Sequence, residues 1–412
     1  MDDATALLIT VTGRDRPGVT SGLFEVLAPL GARVVDMEQV TIRDRLVLGI
    51  LVSLGDDEDT TRARLTERAA ELGVDVEFET MAARRPQVDV PRYYVTVLGQ
   101  PLRAAAIAGI AARIAACGSN IDRITRLSRY PITCLELLVS GGASGRLRGE
   151  LAAEAAVQHV DVAVQRATLY RRAKRLIVMD VDSTLVQGEV IELLSTHAGH
   201  GEEIAAVTRA AMAGELDFEE ALRRRVALLK GLDASVLDAV LANLRLTPGA
   251  RTLVRTLKRL GYVLAVVSGG FAQIIDPLVA RLGIDYAAAN TLEIEHGRLT
   301  GNLIEPVIDR PGKATALERF AAAAGVPISQ TVAIGDGAND LDMLNRAGLG
   351  IAFNAKPVVR RAADTAVTVP YLDAILFLLG ITREEIEAAD AEDPGDAWPL
   401  ELMSTSQPPV PE

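Results

Sequence analysis

The stretch Arg175–Thr184, RLIVMDVDST, constrains the fold of this chain more tightly than any other. Leu176, Ile177, Val178 and Met179 form an unbroken apolar run without the polar alternation of a half-exposed strand. Such a run suits a strand buried on both faces of a parallel sheet. It stops at Asp180 and Asp182. Open α/β sheets bind ligands beyond the carboxyl ends of their strands, so two acids at this point stand where chemistry usually occurs. Asp and Ser are also common turn formers, and a solvated turn is the competing reading.

Downstream, strands alternate with long helical stretches, the pattern of crossover units in a parallel sheet. The expected strands are Leu176–Asp180, Tyr262–Ser268, Thr331–Asp336, Gly348–Phe353 and Thr365–Val369, within a domain spanning 173–382. Residues 187–245 carry helical patterns and no convincing strand, so they are expected to form a helical cap over the strand ends. The tail, 383–412, is acidic and ends in SerThrSerGlnProProValProGlu; it is expected to be disordered.

Upstream, the order is different. Leu7–Thr12, Val34–Ile42, Leu46–Leu54 and Val74–Glu79 read as strands, with helical patterns through Leu23–Leu30 and Thr60–Leu72, giving βαββαβ over 1–83. A linker is expected at Arg84–Pro91, and the same order restarts over 92–168 with Gly13 falling on Gly99 and Gly31 on Gly118. A ferredoxin-like βαββαβ unit covers one sheet face with its own helices and leaves edges that can pair with a neighbour.

The charge balance narrows the partners. A formal net charge of −12 is opposed to general nucleic-acid binding, which needs a basic footprint. Aromatic residues make up only 4% of the chain, so Ala, Val, Leu and Ile must build the core. Cys117 and Cys134 are too few for a disulfide framework and lack metal-ligand spacing. With no basic leader and no long apolar stretch, the expected location is the cytoplasm, without membrane or nucleic-acid partners.

Three strand ends carry reactive clusters: Asp180–Thr184 (DVDST), Ser268–Gly270 (SGG) and Gly335–Asp340 (GDGAND), with Lys313 in RPGKATAL before the third. This ordered set resembles the motifs of the haloacid dehalogenase-like phosphatases, a Rossmann-like fold. Phosphoryl transfer to a carboxylate brings two anions together, so cations must offset the repulsion. The resemblance implies Asp180 as nucleophile and Asp182 as proton donor and acceptor. It implies Mg²⁺ held by Asp180, Asp336 and the Asp182 backbone carbonyl, and phosphate contacts from Ser268, Gly269 and Lys313. Thr184 is expected to tune Asp182, Asp340 to orient Lys313 or the metal's waters, and Asn339 to meet phosphate or leaving group.

Within that superfamily the run DVDSTLVQGEVIELL is similar to phosphoserine phosphatases. The likeness implies Glu189 for the substrate ammonium, Arg225 for its carboxylate, and Met212 and Phe218 as apolar lid residues. Arg223 and Arg224 compete with Arg225 for that role. The implied activity is hydrolysis of O-phosphoserine, the last step of serine biosynthesis. Transfer of phosphate to an alcohol such as homoserine, a broad sugar-phosphate phosphatase, and a non-enzymatic amino-acid sensor are the alternatives. The turn DRPGV at Asp15–Val19 resembles the ligand loop of ACT domains, and the resemblance covers both repeats. It implies amino-acid regulation, with serine as the expected effector, Gly18 and Asn120 as candidate contacts, and a homodimer joined through these domains. Ala105 replaces the loop glycine in the second copy.

Overall fold

The computed structural model of this protein describes residues 5–54, 58–82, 90–168, 171, 173–212 and 216–392. The chain divides into two compact units, Met1–Asp89 and Val90–Glu412. Most of the expected linker at Arg84–Pro91 lies outside the described residues.

In the first unit, β1 (Thr5–Arg14), α1 (Val19–Leu27), β2 (Arg33–Ile42), β3 (Arg45–Ser53), α2 (Glu58–Leu72) and β4 (Val74–Ala82) follow one another. The sheet order is β2-β3-β1-β4, with β1 antiparallel to both β3 and β4. Alternate residues such as Ile9, Val11, Leu48 and Ile50 turn to one face and pack on Leu23, Leu27 and Leu65 of the helices. Gly18 precedes α1 with φ of +96°, a conformation that glycine adopts without steric cost.

The second unit opens on the same plan: β5 (Arg92–Gly99), α3 (Ala104–Ala116), β6 (Ser119–Ser128), β7 (Thr133–Gly141), α4 (Ser144–Gln158) and β8 (Asp161–Arg166), in the order β6-β7-β5-β8. Val95 and Val97 point to Ile110, Ile114, Leu147 and Leu151. The opposite face is also buried. Leu98, Cys134 and Ala163 join one continuous core with Leu376, Phe377 and Leu378 from the carboxyl-terminal part of the chain.

That part contains β9 (Leu176–Met179), α5 (Val190–Ala198), α6 (Gly201–Met212), α7 (Phe218–Ala227), α8 (Val236–Asn243), α9 (Ala250–Arg259), β10 (Val263–Phe271) and α10 (Ala272–Leu282). It continues through β11 (Tyr286–Glu295), β12 (Arg298–Ile304), α11 (Arg310–Ala323), β13 (Thr331–Gly335), α12 (Leu341–Arg346), β14 (Gly350–Phe353), α13 (Pro357–Ala362), β15 (Thr365–Val367), α14 (Ile375–Leu378) and α15 (Arg383–Glu392). One seven-stranded sheet runs β12-β11-β10-β9-β13-β14-β15. All four residues of β9 are fully buried between parallel neighbours β10 and β13. Helices α5–α8 form the cap, and two short segments tie it to the sheet. There Val186 bridges Leu246, Gln187 N–H donates to the Arg245 carbonyl at 2.8 Å, and Thr247 N–H donates to that of Leu185 at 3.0 Å.

Two expectations need correction. The sheet has seven strands rather than five, because β11 and β12 form a hairpin the sequence reading missed. Its first strand contains Ala287, Ala288, Ala289 and Asn290, residues of low strand propensity, which blurs the pattern. Its turn, His296–Gly297, places both residues at positive φ (50° and 75°), as a two-residue hairpin demands. The tail is not structureless from 383 either. In α15, Ile386 is 2% exposed and Asp390 pairs with Arg255 and Arg259, so an apolar anchor and two cations hold an otherwise acidic helix. Residues 393–412 lie outside those described. Among the described residues no helix is long and apolar enough to cross a membrane.

If α15 is part of the core, Ile386→Ala should destabilise the second unit by about 2–5 kcal/mol, the usual cost of emptying a buried aliphatic site. Denaturant unfolding of the full chain measures this, and an unchanged midpoint would mean that the helix is not packed.

Candidate active site

The site is built from loops at the carboxyl ends of β9, β10 and β13 and the start of α11. Asp180 directly follows β9, is 3% exposed, and its N–H donates to the Ile334 carbonyl on β13 at 2.8 Å. Lys313, fully buried, places Nζ at 2.6 Å from both Asp180 Oδ1 and Asp340 Oδ1. Its helix begins at a defined point: the Asp309 side chain accepts from Gly312 N–H at 2.7 Å and Pro311 occupies the first turn. Asp340 also accepts from Gly337 N–H through Oδ2 at 2.9 Å. A Cβ on Gly335 would stand 2.5 Å from the Asp340 carboxyl carbon, so glycine is required by close approach.

Asp182 lies apart from this group. Its Oδ1 accepts from Val190 N–H at 2.7 Å and its Oδ2 from the Ser268 hydroxyl at 3.0 Å. Ser268 is fully buried and its oxygen accepts in turn from Gly270 N–H at 2.7 Å. The residue between the two acids and Thr184, Ser183, takes a left-handed φ of 58°. Thr184 departs from expectation: its hydroxyl donates to Asp336 Oδ1 at 3.4 Å, not to Asp182, because the turn after Val181 carries it to the β13 side.

The electrostatics separate the acids. Burial pushes the Asp180 carboxyl well above the usual range, the Asp340 charge adds to this, and Lys313 opposes both. For Lys313 burial works against the charge, but Asp180 and Asp340 outweigh it and hold the ammonium above its ordinary range. Asp182 is raised chiefly by burial, against the pull of Val190 N–H and the Ser268 hydroxyl. Asp336 is raised to about 7 by burial and then by Asp340.

Side-chain oxygens of Asp180, Asp336 and Asp340 lie within 4.8 Å of one another. Three carboxylates share one ammonium, and burial raises both Asp180 and Asp336; an all-oxygen site short of positive charge fits a hard divalent cation such as Mg²⁺.

Facing this cluster is a cavity of about 490 Å³, lined among others by Asp180, Asp182, Glu189, Arg225, Gly269 and Asn339. Of the three consecutive arginines on α7, only Arg225 turns inward. It is 8% exposed and its Nη1 lies 3.4 Å from Glu189 Oε2. Arg223 and Arg224 are on the outer face, paired with Glu219 and Glu305 and with Glu220. Burial raises the Glu189 carboxyl, with Asp182 adding and Arg225 opposing. Met212 ends α6 and Phe218 begins α7, but their side chains are outside those described. In the repeats, Gly18 sits at the start of α1, and Asn120 donates to the Asp122 carboxylate at 3.0 Å on β6.

Sequence reasoning missed Asn290. Fully buried on β11, it donates to the Gly269 carbonyl at 2.9 Å and accepts from Ile308 N–H at 2.6 Å. It therefore ties the SGG loop to the segment that leads into α11. A buried Asn in the missed strand was the only available signal. Arg310 and Lys356 also line the cavity without having been singled out.

Comparison with known proteins gives a consistent picture. Residues 177–345 match the haloacid dehalogenase-like hydrolases, and 5–79 and 92–165 each match the ACT domain. A phosphoserine phosphatase of Streptomyces coelicolor is 60% identical over 96% of this chain and 97% of its own length. The phosphoserine phosphatase SerB2 of Mycobacterium tuberculosis is 55% identical over 96% of this chain and 98% of its own. Among solved structures, a probable phosphoserine phosphatase from Vibrio cholerae is 35% identical, with a TM-score of 0.56 over 74% of this chain and 90% of its own.

The raised acid at Asp336 has a consequence for stability. A carboxyl whose pKa rises on folding binds its proton more tightly in the native state, so its stabilising contribution is lost as pH climbs from 3.8 through about 7. The metal-free protein is therefore expected to lose stability across that window, and Mg²⁺ to restore most at the alkaline end. Thermal unfolding in chelator and in Mg²⁺ at several pH values tests this; a metal-free profile that rises with pH would contradict it.

Proposed function

Because the chain belongs to the haloacid dehalogenase-like hydrolases, and among them to the phosphoserine phosphatases with two ACT domains, we propose that it hydrolyses O-phosphoserine through a phosphorylated Asp180. The observation that carries this reading is the pairing of Glu189 with Arg225 across one cavity from the Asp180 cluster. A carboxylate and a guanidinium side by side form a receptor for a zwitterion: the substrate carboxylate takes Arg225 and its ammonium takes Glu189. Its phosphate then reaches Asp180.

In the first step an Asp180 oxygen attacks phosphorus while Asp182 gives its proton to the departing serine oxygen. In the second, Asp182, now a carboxylate, takes a proton from water as that water attacks the phosphoryl group on Asp180, releasing phosphate. The burial that raises Asp182 suits it to start protonated, and Ser268 and Val190 N–H fix its direction. Lys313 opposes the burial that raises Asp180 and aims its carboxyl group. Gly269 and Asn339 line the phosphate end. Asp180, Asp336 and the Asp182 carbonyl would hold Mg²⁺, with Asp340 behind them; when bound it supplies the positive charge that two anions need to meet.

The product is serine, so the step would close serine biosynthesis, and the ACT domains would sense serine as effector, with Gly18 and Asn120 as contacts. A homodimer through the ACT domains is supported by β2. Every residue of this edge strand is exposed, among them Val34, Val35, Met37, Val40 and Ile42, and an apolar open edge favours pairing.

Asp180→Asn is expected to reduce phosphate release from O-phosphoserine by at least about 10³-fold, since no covalent intermediate can form. Near-normal turnover would eliminate the covalent route. Arg225→Lys should raise KM for phosphoserine by on the order of 10- to 100-fold while sparing a sugar phosphate, the amount a charged hydrogen-bonded contact contributes. Equal effects on both substrates would remove Arg225 from carboxylate recognition.

A further inference from the structure

The second ACT domain is docked through its open sheet face, and one contact in that interface leads to the cap. Asp161, first residue of β8, is 6% exposed. Its Oδ2 accepts from Thr368 N–H at 2.6 Å and its Oδ1 from the Thr368 hydroxyl at 2.9 Å. Thr368 directly follows β15 and begins the segment Thr368–Asp373. At the far end of that segment, Leu372 N–H donates to the Pro248 carbonyl at 2.8 Å. There Gly249 has φ of +80°, and a Cβ on it would stand 2.2 Å from Asp373 Oδ1 and 2.8 Å from the Asp373 backbone nitrogen, so glycine lets the two segments approach closely.

Pro248 and Gly249 belong to the returning connection of the cap, next to the Thr247–Leu185 and Gln187–Arg245 hydrogen bonds that pair the two connections. Pro370 and Tyr371, in the middle of the segment, line a cavity of about 450 Å³ together with Ser183, Gln187, Gly188 and Pro248. Ser183 lies between Asp182 and Thr184 of the catalytic loop. Six residues thus span from an ACT strand to the hinge of the cap. A buried carboxyl group that takes both the N–H and the hydroxyl of one residue fixes that residue at two points, which makes Asp161 a firm anchor.

We infer that Thr368–Asp373 is a strap that couples the second ACT domain to the cap hinge, with Asp161 as its positioning residue. The inference deepens the regulatory reading above and rests on the cap closing over the site during turnover. A shift of β8 pulls on Thr368, and the strap passes that shift to Pro248 and Gly249. The equilibrium between open and closed cap then depends on a residue that touches no substrate.

The test reads cap position directly. In the full chain, Glu202→Cys on α6 and Ala322→Cys on α11, both exposed, carry spin labels; the native Cys117 and Cys134 are buried and stay unlabelled. Asp161→Ala should broaden the distance distribution between the labels and raise KM for phosphoserine by about 5- to 50-fold, in the range of ordinary coupling between sites. Thr368→Val, which removes only the hydroxyl bond, should act in the same direction more weakly and covers the case in which Asp161→Ala does not fold. Arg148→Ala is the control, because it breaks the Arg148–Asp364 pair at 3.1 Å between the same two domains without touching the strap. It should leave the distances unchanged. Equal broadening by Arg148→Ala, or none by both Asp161→Ala and Thr368→Val, overturns the inference. The label distances need no turnover, so an inactive enzyme would defeat the phosphatase reading and not this one.

Discussion

A buried ammonium between two carboxylates organises the catalytic half of this molecule. Lys313 comes from α11, Asp180 from the end of β9 and Asp340 from the loop after β13, so one cation fastens three separate elements at a single point. Fully buried charges are costly unless paired and hydrogen-bonded, and here each partner is both. Removing Lys313 would leave two buried acids without the ammonium that lies 2.6 Å from each, at the cost of uncompensated buried polar groups. The surroundings are shaped to permit it. Gly335 lets Asp340 approach the strand backbone, and the Asp309 cap fixes where α11 starts.

The same geometry makes two acids, only two residues apart, chemically unlike. Asp180 faces a cation and two further carboxylates. Asp182 faces a hydroxyl and a backbone N–H. Environments that separate the behaviour of neighbouring titratable groups suit the two acids to the unlike roles proposed for them, nucleophile and proton carrier. The left-handed turn at Ser183 contributes by reversing the chain just after Asp182, so that the next side chain, Thr184, meets Asp336.

Much of this could be read from the sequence, for a physical reason. Buried parallel strands announce themselves as apolar runs, and the polar cluster that ends each run marks the side of the sheet where ligands bind. β9, β10 and β13 are of this kind. The hairpin β11–β12 is not: alanines dilute its pattern, and Asn290, which braces the SGG loop from there, looks like any loop asparagine. Three consecutive arginines on α7 could not be ranked by composition. Helical rotation decides between them, turning Arg225 to the cavity and its neighbours to solvent. The acidity of 383–392 suggested disorder because the basic partners, Arg255 and Arg259, lie far away in sequence.

The two repeats share one plan and differ in what their open face carries. On β4, Asp75, Glu77 and Glu79 lie opposite Thr12, Thr10 and Leu8 of β1, and all three acids are exposed. The corresponding positions on β8 are Asp161, Ala163 and Gln165, opposite Leu98, Thr96 and Tyr94 of β5. Neutral Ala163 and Gln165 replace two of the three acids there, which allows the face to be covered. Ala163 enters the shared core, Gln165 donates to the Leu378 carbonyl at 2.9 Å, and Asp161 takes two donors from Thr368, which oppose the burial that raises its carboxyl. Beside them Arg171 pairs with Glu136 and stacks over Tyr94 at 4.1 Å, closing the contact with a buried ion pair. A row of acids cannot be buried this way without partners, so the residues that β8 carries are what allow this face of the second repeat to be covered. The two repeats have the same fold, and three side chains on β8 fit the second into the core it shares with the carboxyl-terminal part of the chain.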